Sequence, residues 1–583
     1  MAKQLVDRLP RWLLWLLVGV YALPGLLARD PWRPEDATGF GIAATMAEGG
    51  WRDWVLPNVY GAAVAEEGPL TAWVGALFGK AWIAAGLSNY WLDDIIRCAS
   101  VLWLLLLVWV IWSTAFRLAR RPELQLPDPL GIAPSRDDYA RTVADAAVLC
   151  LLATLGLLLR AHQTVAEVGE LTGLALILLA AVRALDRPKS AGWTLGVGIV
   201  VAIGAGGLVH TIALLGVLIV SSSLNPMLRF GLGQRLLRAA CVVVVAAAAW
   251  LYCLHQFPEG PAWLGRWLTW NREQLALPFL GAGGSGQDIG RLFKNAVWFL
   301  WPIWPLSCWT LWHHRRSLRE PGLRIPAIAA AAHVVSLPWL SGNIESHLFP
   351  LIVPLTLLAA LGLSSLRRGL ISLIDWFAVM VFSTAGLLVW IGWSALNFGF
   401  PPKIARNFLR LAPDYVAQSV PLELLIAVLA CAAWIALVVW RVRTHPRALW
   451  QATALSSGGM TLIWLLLMTL WLPWINQGKT YRPVADSLRA ALAEQDGCVA
   501  TRNLGLAQRA SLVYLGNVAV RRDAYARKNL STNECPWLLI QDNPTRQAPH
   551  TPDLARWQLR WEGKRASDRN EGFRLFRQKI PAP

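Results

Sequence analysis

Long apolar stretches recur along most of this sequence, and each can cross the hydrocarbon core of a bilayer as a helix. Of the 583 residues, 55% are hydrophobic and only 15% are charged, and the mean hydropathy is +0.43. The pattern predicts an α-helical polytopic membrane protein with about thirteen transmembrane helices. Gly204, Gly206 and Gly207 predict a break between two spans instead of one long helix. The predicted spans lie within 12–28, 94–117, 143–160, 168–185, 191–207, 208–223, 236–254, 293–313, 325–341, 347–366, 372–395, 421–440 and 455–475.

Basic residues are concentrated in alternate loops between these spans. The positive-inside rule therefore places those loops and the N-terminus in the cytoplasm, and the C-terminus outside. This alternation accounts for the net charge of +18, so we expect no nucleic-acid partner. The first span is expected to remain as an anchor, because no small-residue cleavage site follows it. The segments predicted to lie outside are 29–93, 161–167, 255–292, 341–346, 396–420 and 476–583.

The first outer loop, 29–93, contains two pairs of adjacent acidic residues. Glu35 and Asp36 precede "FGIAATMAEG", and Glu66 and Glu67 precede "PLTAWVGALFGKAWIAAG". Both stretches are apolar but interrupted by polar residues, so we expect short helices lying along the membrane interface. Acidic residues at helix N-termini can act simply as caps. Two such pairs at the outer membrane boundary favour a functional site.

The tail, 476–583, is polar and predicts a small α/β domain outside the membrane. "PVADSLRAALAEQ" predicts an amphipathic helix, whereas "CVATRN", "ASLVYLG", "PWLLIQ" and "GFRLFRQ" predict short strands. Cys498 and Cys535 each lie beside a predicted strand in a compartment that would be oxidising, which predicts a disulfide. The predicted division is a membrane domain at 1–475 and this domain at 476–583.

The first loop resembles that of the large integral-membrane glycosyltransferases of the GT-C type. The closest group is that of the aminoarabinose transferase that modifies lipid A and the protein O-mannosyltransferases. In that family an acidic pair follows the first span, and a Met, a Gly, a Trp and a Pro come next in that order. A Glu-Lys-Pro motif and an apolar helix ending in Phe-Gly follow them, and an Arg opens the second span. This chain supplies the matching residues in order as Met46, Gly50, Trp54, Pro57, Glu67, Pro69, Phe78, Gly79 and Arg97.

The sequence departs from the family pattern at four points. The acidic pair has the order Glu35-Asp36 instead of Asp-Glu, Gly68 replaces the Lys of Glu-Lys-Pro, and Phe40 replaces a Tyr. A Lys that the family carries in a later segment is absent from 341–350. In the family the Lys and Tyr positions contact the lipid phosphate or the substrate. The resemblance therefore implies that another group holds the phosphate here, or that the donor differs.

The resemblance implies a glycosyltransferase that uses a polyprenyl-phosphate sugar donor at the outer, periplasmic face of a bacterial inner membrane. The acceptor would be lipid A, another glycolipid or a protein hydroxyl. Because a phosphate already leaves well, the chemical demand is a base for the acceptor hydroxyl. We assign the base to Asp36, with Glu35 as its competitor, and expect Glu67 to orient the acceptor or a cation. Arg97 is the family-supported phosphate contact, and further candidates from the outer segments are His255, Arg266, Arg272, His347, Lys403 and Arg406.

A direct displacement would need no protein nucleophile, and so inversion at the anomeric carbon is expected. No cofactor is required by this scheme, although a pair of acids could also bind a divalent cation. Two alternatives remain at this point. One is a transporter for a lipid-linked sugar, and the other is an assembly protein that keeps the fold without activity.

Overall fold

The structure, a computed structural model, describes residues 9–125, 134–275, 289–411, 415–416, 420–443, 450–492, 497–521, 535–542, 552–565, 568 and 570–579. Helices dominate it, and 3-10 turns extend several of them. The α-helices are labelled α1 to α25 in chain order. They are Arg11–Ala22, Glu35–Glu48, Trp51–Val55, Leu70–Ala84, Leu92–Ala119, Arg136–Leu152, Leu155–Arg160, Glu167–Asp186, Pro188–Ala205, Leu208–Leu224, Pro226–Arg229, Leu232–His255, Gly260–Glu273, Ile289–Phe299, Ile303–His313, Pro321–Ser336, Ile344–Leu348, Ile352–Gly362, Arg368–Phe398, Pro402–Leu411, Pro421–Arg443, Gln451–Leu470, Leu472–Lys479, Arg482–Leu492 and Leu506–Gly516.

Helices occupy every predicted span, but they differ in length. Within the described ranges, 7 helical segments are long and apolar enough to cross a membrane. The other predicted spans hold helices that are shorter, interrupted or slightly less apolar, so the total number of crossings stays a prediction. The 7 segments are Asn89–Ala119, Glu167–Asp186, Leu232–His255, Ile344–Ser365, Gly369–Phe398, Pro421–Arg443 and Thr453–Leu470.

The predicted break between α9 and α10 is present at Gly206 and Gly207. The backbone N–H of Leu208, at the start of α10, donates to Asn271 Oδ1 on α13 at 2.7 Å. A Cβ at Gly206 would lie 2.4 Å from Glu170 Cδ, and one at Gly207 would lie 2.7 Å from Asn271 Oδ1. Glycine at both positions therefore lets the side chains of Glu170 and Asn271 approach the break this closely.

The helices of the first loop pack against the rest of the protein. Most of α2 is buried, including Phe40, Ala43 and Met46, and α2 packs against α4, α5 and α25. The small residues on the surface of α2 permit this close packing on several sides, and the position of α2 relative to the membrane interface stays a prediction. For example, Gly41 approaches Ala510 of α25 so closely that a Cβ would lie 2.5 Å from the Cβ of that alanine.

The C-terminal part forms a four-stranded sheet with helices α24 and α25 against it. The strands, labelled β3 to β6 after a two-stranded pair in the first loop (β1 Asn58–Val59 and β2 Ala62–Ala63), are Val499–Arg502, Trp537–Asp542, Trp557–Gly563 and Gly572–Gln578. Their order is β3-β4-β6-β5, with β3 and β4 parallel and the other pairs antiparallel. Cys498 and Cys535 form a disulfide, as the sequence predicts.

The segment "ASLVYLG" was predicted as a strand, and that prediction was wrong, because it lies in helix α25. Strands β3 and β4 are parallel, so the chain between them must return to the same end of the sheet. Helix α25 lies within that crossover. It buries Leu512 and Leu515 against α24 and the sheet, where Tyr481, Leu539 and Phe573 complete the core.

Candidate functional site

Asp36 lies in the first turn of α2 and is completely buried. Its Oδ2 accepts hydrogen bonds from Arg29 Nη2 and from the backbone N–H of Trp32, both at 3.0 Å. Its Oδ1 accepts from the backbone N–H of Thr164 at 2.7 Å. These donors occupy both carboxylate oxygens. Asp36 therefore ties the entry to α2 to the turn before α8.

Buried arginines extend this contact towards α5. Arg29 Nη2 also donates to the His162 carbonyl at 2.7 Å, and burial lowers the Arg29 pKa to about 10 despite the opposing charge of Asp36. Arg97 donates to the carbonyls of Leu26 and Arg29 at 2.7 and 2.8 Å, and to Asp94 Oδ1 at 2.8 Å. The predicted phosphate ligand Arg97 is thus engaged in holding residues 26–29 against α5.

Glu35, the neighbour of Asp36, has a different environment. Its side chain is 41% exposed, and its Oε1 lies 3.7 Å from Nη2 of Arg160 at the end of α7. The Arg160 side chain is only 8% exposed and also approaches Glu167 Oε1 at 3.4 Å and Glu345 Oε2 at 3.5 Å. One buried guanidinium thus joins carboxylates from α2, α8 and α17. All three contacts are longer than a good charge-assisted hydrogen bond, which is about 2.8 Å.

The second acidic pair lies where the first loop contacts the break between α9 and α10. The Gly68 backbone N–H donates to the carbonyls of Ala205 and Gly206, both at 3.1 Å. A Cβ at Gly68 would lie 2.1 Å from the Gly204 carbonyl oxygen, so no side chain fits there. This explains why the Lys of the family motif cannot be accommodated at this position. The contact places Glu66 and Glu67 beside α8.

A cavity of about 220 Å³ lies at this contact. It is bounded by the second acidic pair, the start of α8, the helix break, α13 and the turn at 341–347. The acidic pair, the start of α8, α13 and the turn belong to four segments that the charge pattern assigns to the outer side of the membrane. The titratable groups on its wall are Glu66, Glu67, Glu167, Glu170, His210 and His347. We call this the acidic cavity.

The acidic cavity changes the acid strength of Glu67. Burial, reinforced by the nearby carboxylates of Glu167 and Glu170, raises the pKa of Glu67 well above its usual value. A raised pKa favours the protonated form, which can donate a hydrogen bond to a substrate oxygen. Glu67 is therefore suited to orienting a hydroxyl or phosphate oxygen.

Two histidines form the other wall of the acidic cavity. His347 Nε2 lies 2.7 Å from the Ser341 carbonyl, so this nitrogen carries the proton. His347 Nδ1 then accepts from His210 Nε2 at 3.3 Å. That arrangement leaves His210 Nδ1 as an acceptor, and it is buried without a hydrogen-bond partner.

The structure brings together only some of the predicted residues. Glu67 and His347 line the acidic cavity, and Glu35 lies beside it through Arg160. The remaining phosphate candidates are exposed at other places: His255 at the end of α12, Arg266 and Arg272 on the outer face of α13, and Lys403 and Arg406 on α20. None of these five lines the acidic cavity as described, and a phosphate-binding role for them stays a prediction.

Sequence reasoning missed Arg160, Glu167, Glu170 and Glu345. An arginine that ends an apolar segment directly before a short outer turn was the available signal for Arg160. Across the described residues, no group of three or more His, Cys, Asp or Glu side chains is placed to hold a metal ion. Binding of a divalent cation stays a prediction.

The apolar helices, the C-terminal sheet domain and the cavity under the first loop together form the fold of a polytopic helical membrane protein. Solved structures that share this fold include two of ArnT from Cupriavidus metallidurans, one bound to undecaprenyl phosphate and one in the apo state. The bound structure matches with a TM-score of 0.66 at 16% identity, over 97% of this chain and 98% of that chain. The apo structure matches with a TM-score of 0.62 at 16% identity, over 97% of both chains.

The predicted resemblance is thus confirmed for the fold. No protein-family model matches the sequence. No curated protein sequence matches it significantly.

Proposed function

We propose that this protein transfers a sugar from a polyprenyl-phosphate carrier to an acceptor at the outer face of a bacterial inner membrane. The observation that carries the proposal is the match to ArnT along 97% of the chain, which includes a structure bound to undecaprenyl phosphate. The acidic cavity, with Arg160 and Glu35 beside it, offers acids and a cation that such a reaction can use. The proposed acceptor is lipid A or another glycolipid, and a protein hydroxyl is the alternative.

Glu35 is the proposed base. Asp36, to which the sequence assigned this role, is completely buried and already accepts three hydrogen bonds, which favours its neighbour as the base. Glu35 is partly exposed and held only by a long contact with Arg160. A carboxylate in that position can accept the proton of an acceptor hydroxyl as the oxygen attacks the anomeric carbon. Such general-base assistance contributes about 10²–10⁴-fold in rate.

Asp36 then acts as a positioning residue. Its bonds to the Trp32 and Thr164 amides fix the first turn of α2, where Glu35 is the preceding residue. Glu67, which favours the protonated form, would orient the acceptor or the leaving phosphate by donating a hydrogen bond. One displacement without a protein nucleophile inverts the configuration at the anomeric carbon.

Arg160 is the proposed cationic contact for the carrier phosphate. It is buried, and its Nη1 makes no hydrogen bond of normal geometry. Its three carboxylate neighbours lie at 3.4–3.7 Å, so one can be exchanged for a phosphate oxygen at shorter distance. This residue would replace the Lys that Gly68 excludes.

The class of activity is tested by forming a glycosidic bond in proteoliposomes. The purified full chain would be given radiolabelled polyprenyl-phosphate sugars and membrane glycolipid, with and without EDTA. A labelled glycolipid product with inverted anomeric configuration supports the proposal. Movement of intact donor across the bilayer without product would support the transporter alternative instead.

A further inference from the structure

A second and larger cavity lies between the C-terminal domain and the first loop. Its volume is about 750 Å³, within the range of pockets that enclose small ligands, and such pockets often form at domain boundaries. One wall is α24 and the end of α25, and the other is the end of α2 with the turn at 89–90. We call it the interdomain cleft.

Hydrogen bonds fix the two walls relative to each other. The Tyr514 hydroxyl of α25 lies 2.9 Å from the Asn89 carbonyl and 3.0 Å from Asp93 Oδ1 at the start of α5. Arg482 of α24 donates through Nε to Asp30 Oδ2 at 3.0 Å, and Asp30 is buried. The cleft is therefore a formed feature of the docked domains.

The lining of the interdomain cleft combines aromatic and cationic side chains. Tyr90 is 68% exposed at its edge. Arg489 is 56% exposed, and its Nη2 lies 2.6 Å from Oδ1 of Asp486, which is itself exposed and lies three residues earlier on the same helix. Arg482 and Glu48 are the other charged side chains on the described wall. A flat aromatic face beside an arginine suits a sugar ring that carries an anionic group.

The position of the cleft relative to the membrane identifies the kind of molecule that reaches it. The turn at 89–91 leads directly into α5, which belongs to the candidate span Asn89–Ala119. The chain that leads through α4 into this turn carries exposed apolar side chains, as expected at a membrane–water interface. They are Leu77, Phe78, Leu87, Tyr90 and Trp91. A ligand whose head enters the cleft from here has its apolar part in the adjacent lipid.

We propose that the interdomain cleft binds the phosphorylated saccharide head of a membrane glycolipid. If the proposed transferase function holds, on which this role rests, that glycolipid is the acceptor. The C-terminal domain then selects the acceptor by its head group, while the acidic cavity performs the reaction. Each arginine near a membrane surface contributes about fivefold to the affinity for an anionic lipid, and an aromatic contact about two- to tenfold.

The test is direct binding of a deacylated phosphorylated disaccharide to the full chain in nanodiscs, with the dephosphorylated disaccharide as a comparison. We expect Arg489→Gln to weaken binding about fivefold, and Tyr90→Ala to weaken it about two- to tenfold. The matched control is Arg556→Gln, because Arg556 also faces an aspartate three residues earlier and is exposed, but does not line the cleft. It should bind as the wild type does.

Equal affinity in all variants, or binding that ignores the phosphate, would overturn the proposal. Binding of an unglycosylated acidic peptide with the same sensitivity to Arg489→Gln would also overturn it. The assay uses no donor, so it separates this proposal from the proposed function. Loss of binding in Arg489→Gln with no transfer by the wild type would leave the cleft assignment standing and remove the transferase. Transfer with the same acceptor KM in wild type and Arg489→Gln would leave the transferase standing and overturn the cleft assignment.

Discussion

Replacing Asp36 by Asn should destabilise the protein, because every group that contacts its carboxylate is a hydrogen-bond donor. The donors are the Arg29 guanidinium and the backbone N–H groups of Trp32 and Thr164, at 2.7–3.0 Å. An Asn has a single acceptor oxygen, so its NH₂ group must point at one or more of these donors. The buried Arg29 would also lose its counter-charge. Breaking a buried ion pair by removing one partner costs about 3–5 kcal/mol, and we expect a loss of that size.

The measurement is unfolding of the purified protein in mixed micelles, followed by tryptophan fluorescence. The matched control is Glu35→Gln, the neighbouring acid, whose partly exposed side chain makes only a 3.7 Å contact with Arg160. It should lose less than about 1 kcal/mol. The reasoning is refuted if Asp36→Asn unfolds within about 1 kcal/mol of the wild type, since that would mean that the carboxylate is not needed by its three donors.

Three further predictions follow from the same geometry. Gly68→Ala should strongly lower the thermal stability of the protein, because its Cβ would meet the Gly204 carbonyl oxygen at 2.1 Å. The control is Gly216→Ala, since a Cβ there meets open space, and equal thermal stability of the two variants would contradict this account. Glu67→Gln should stabilise the protein more at pH 8 than at pH 5: since folding raises the Glu67 pKa, the folded state binds the proton more tightly, and wild-type stability falls as the pH rises above the ordinary carboxyl value. A pH-independent difference between Glu67→Gln and wild type in thermal unfolding would count against it. Reducing the Cys498–Cys535 disulfide should lower stability by about 2–4 kcal/mol, which denaturation with and without dithiothreitol measures; equal stability in both conditions would contradict this.

The positions of the membrane helices were predictable because apolar length is a direct consequence of the bilayer. The break at Gly206 and Gly207 was predictable for a related reason, since paired glycines disfavour a continuous helix. The helix α25 was not, because "ASLVYLG" is a short apolar run whose periodicity suits a strand or a helix. The parallel pairing of β3 and β4 decides in favour of the helix, and it joins residues that are far apart in the sequence.

The candidate site was predictable in its main acidic residues but not in which of them are buried. Two acidic pairs near the membrane boundary indicated a site, and Glu67 does line the acidic cavity. Glu35 and Asp36 are adjacent on a helix, so they point in directions about 100° apart, and packing of α2 decides which is buried. The Arg160 contacts join residues more than a hundred positions apart in sequence, and local patterns contain no information about them.

The most direct test of the account is single-turnover sugar transfer by Glu35→Gln in lipid nanodiscs, with polyprenyl-phosphate binding measured on the same sample. Asp36→Glu serves as a charge-retaining comparison at the neighbouring position. The account predicts transfer slowed by about 10²–10⁴-fold in Glu35→Gln while carrier binding is retained. Transfer at the wild-type rate in Glu35→Gln would contradict the assignment of the base and, with it, the proposed working of the acidic cavity.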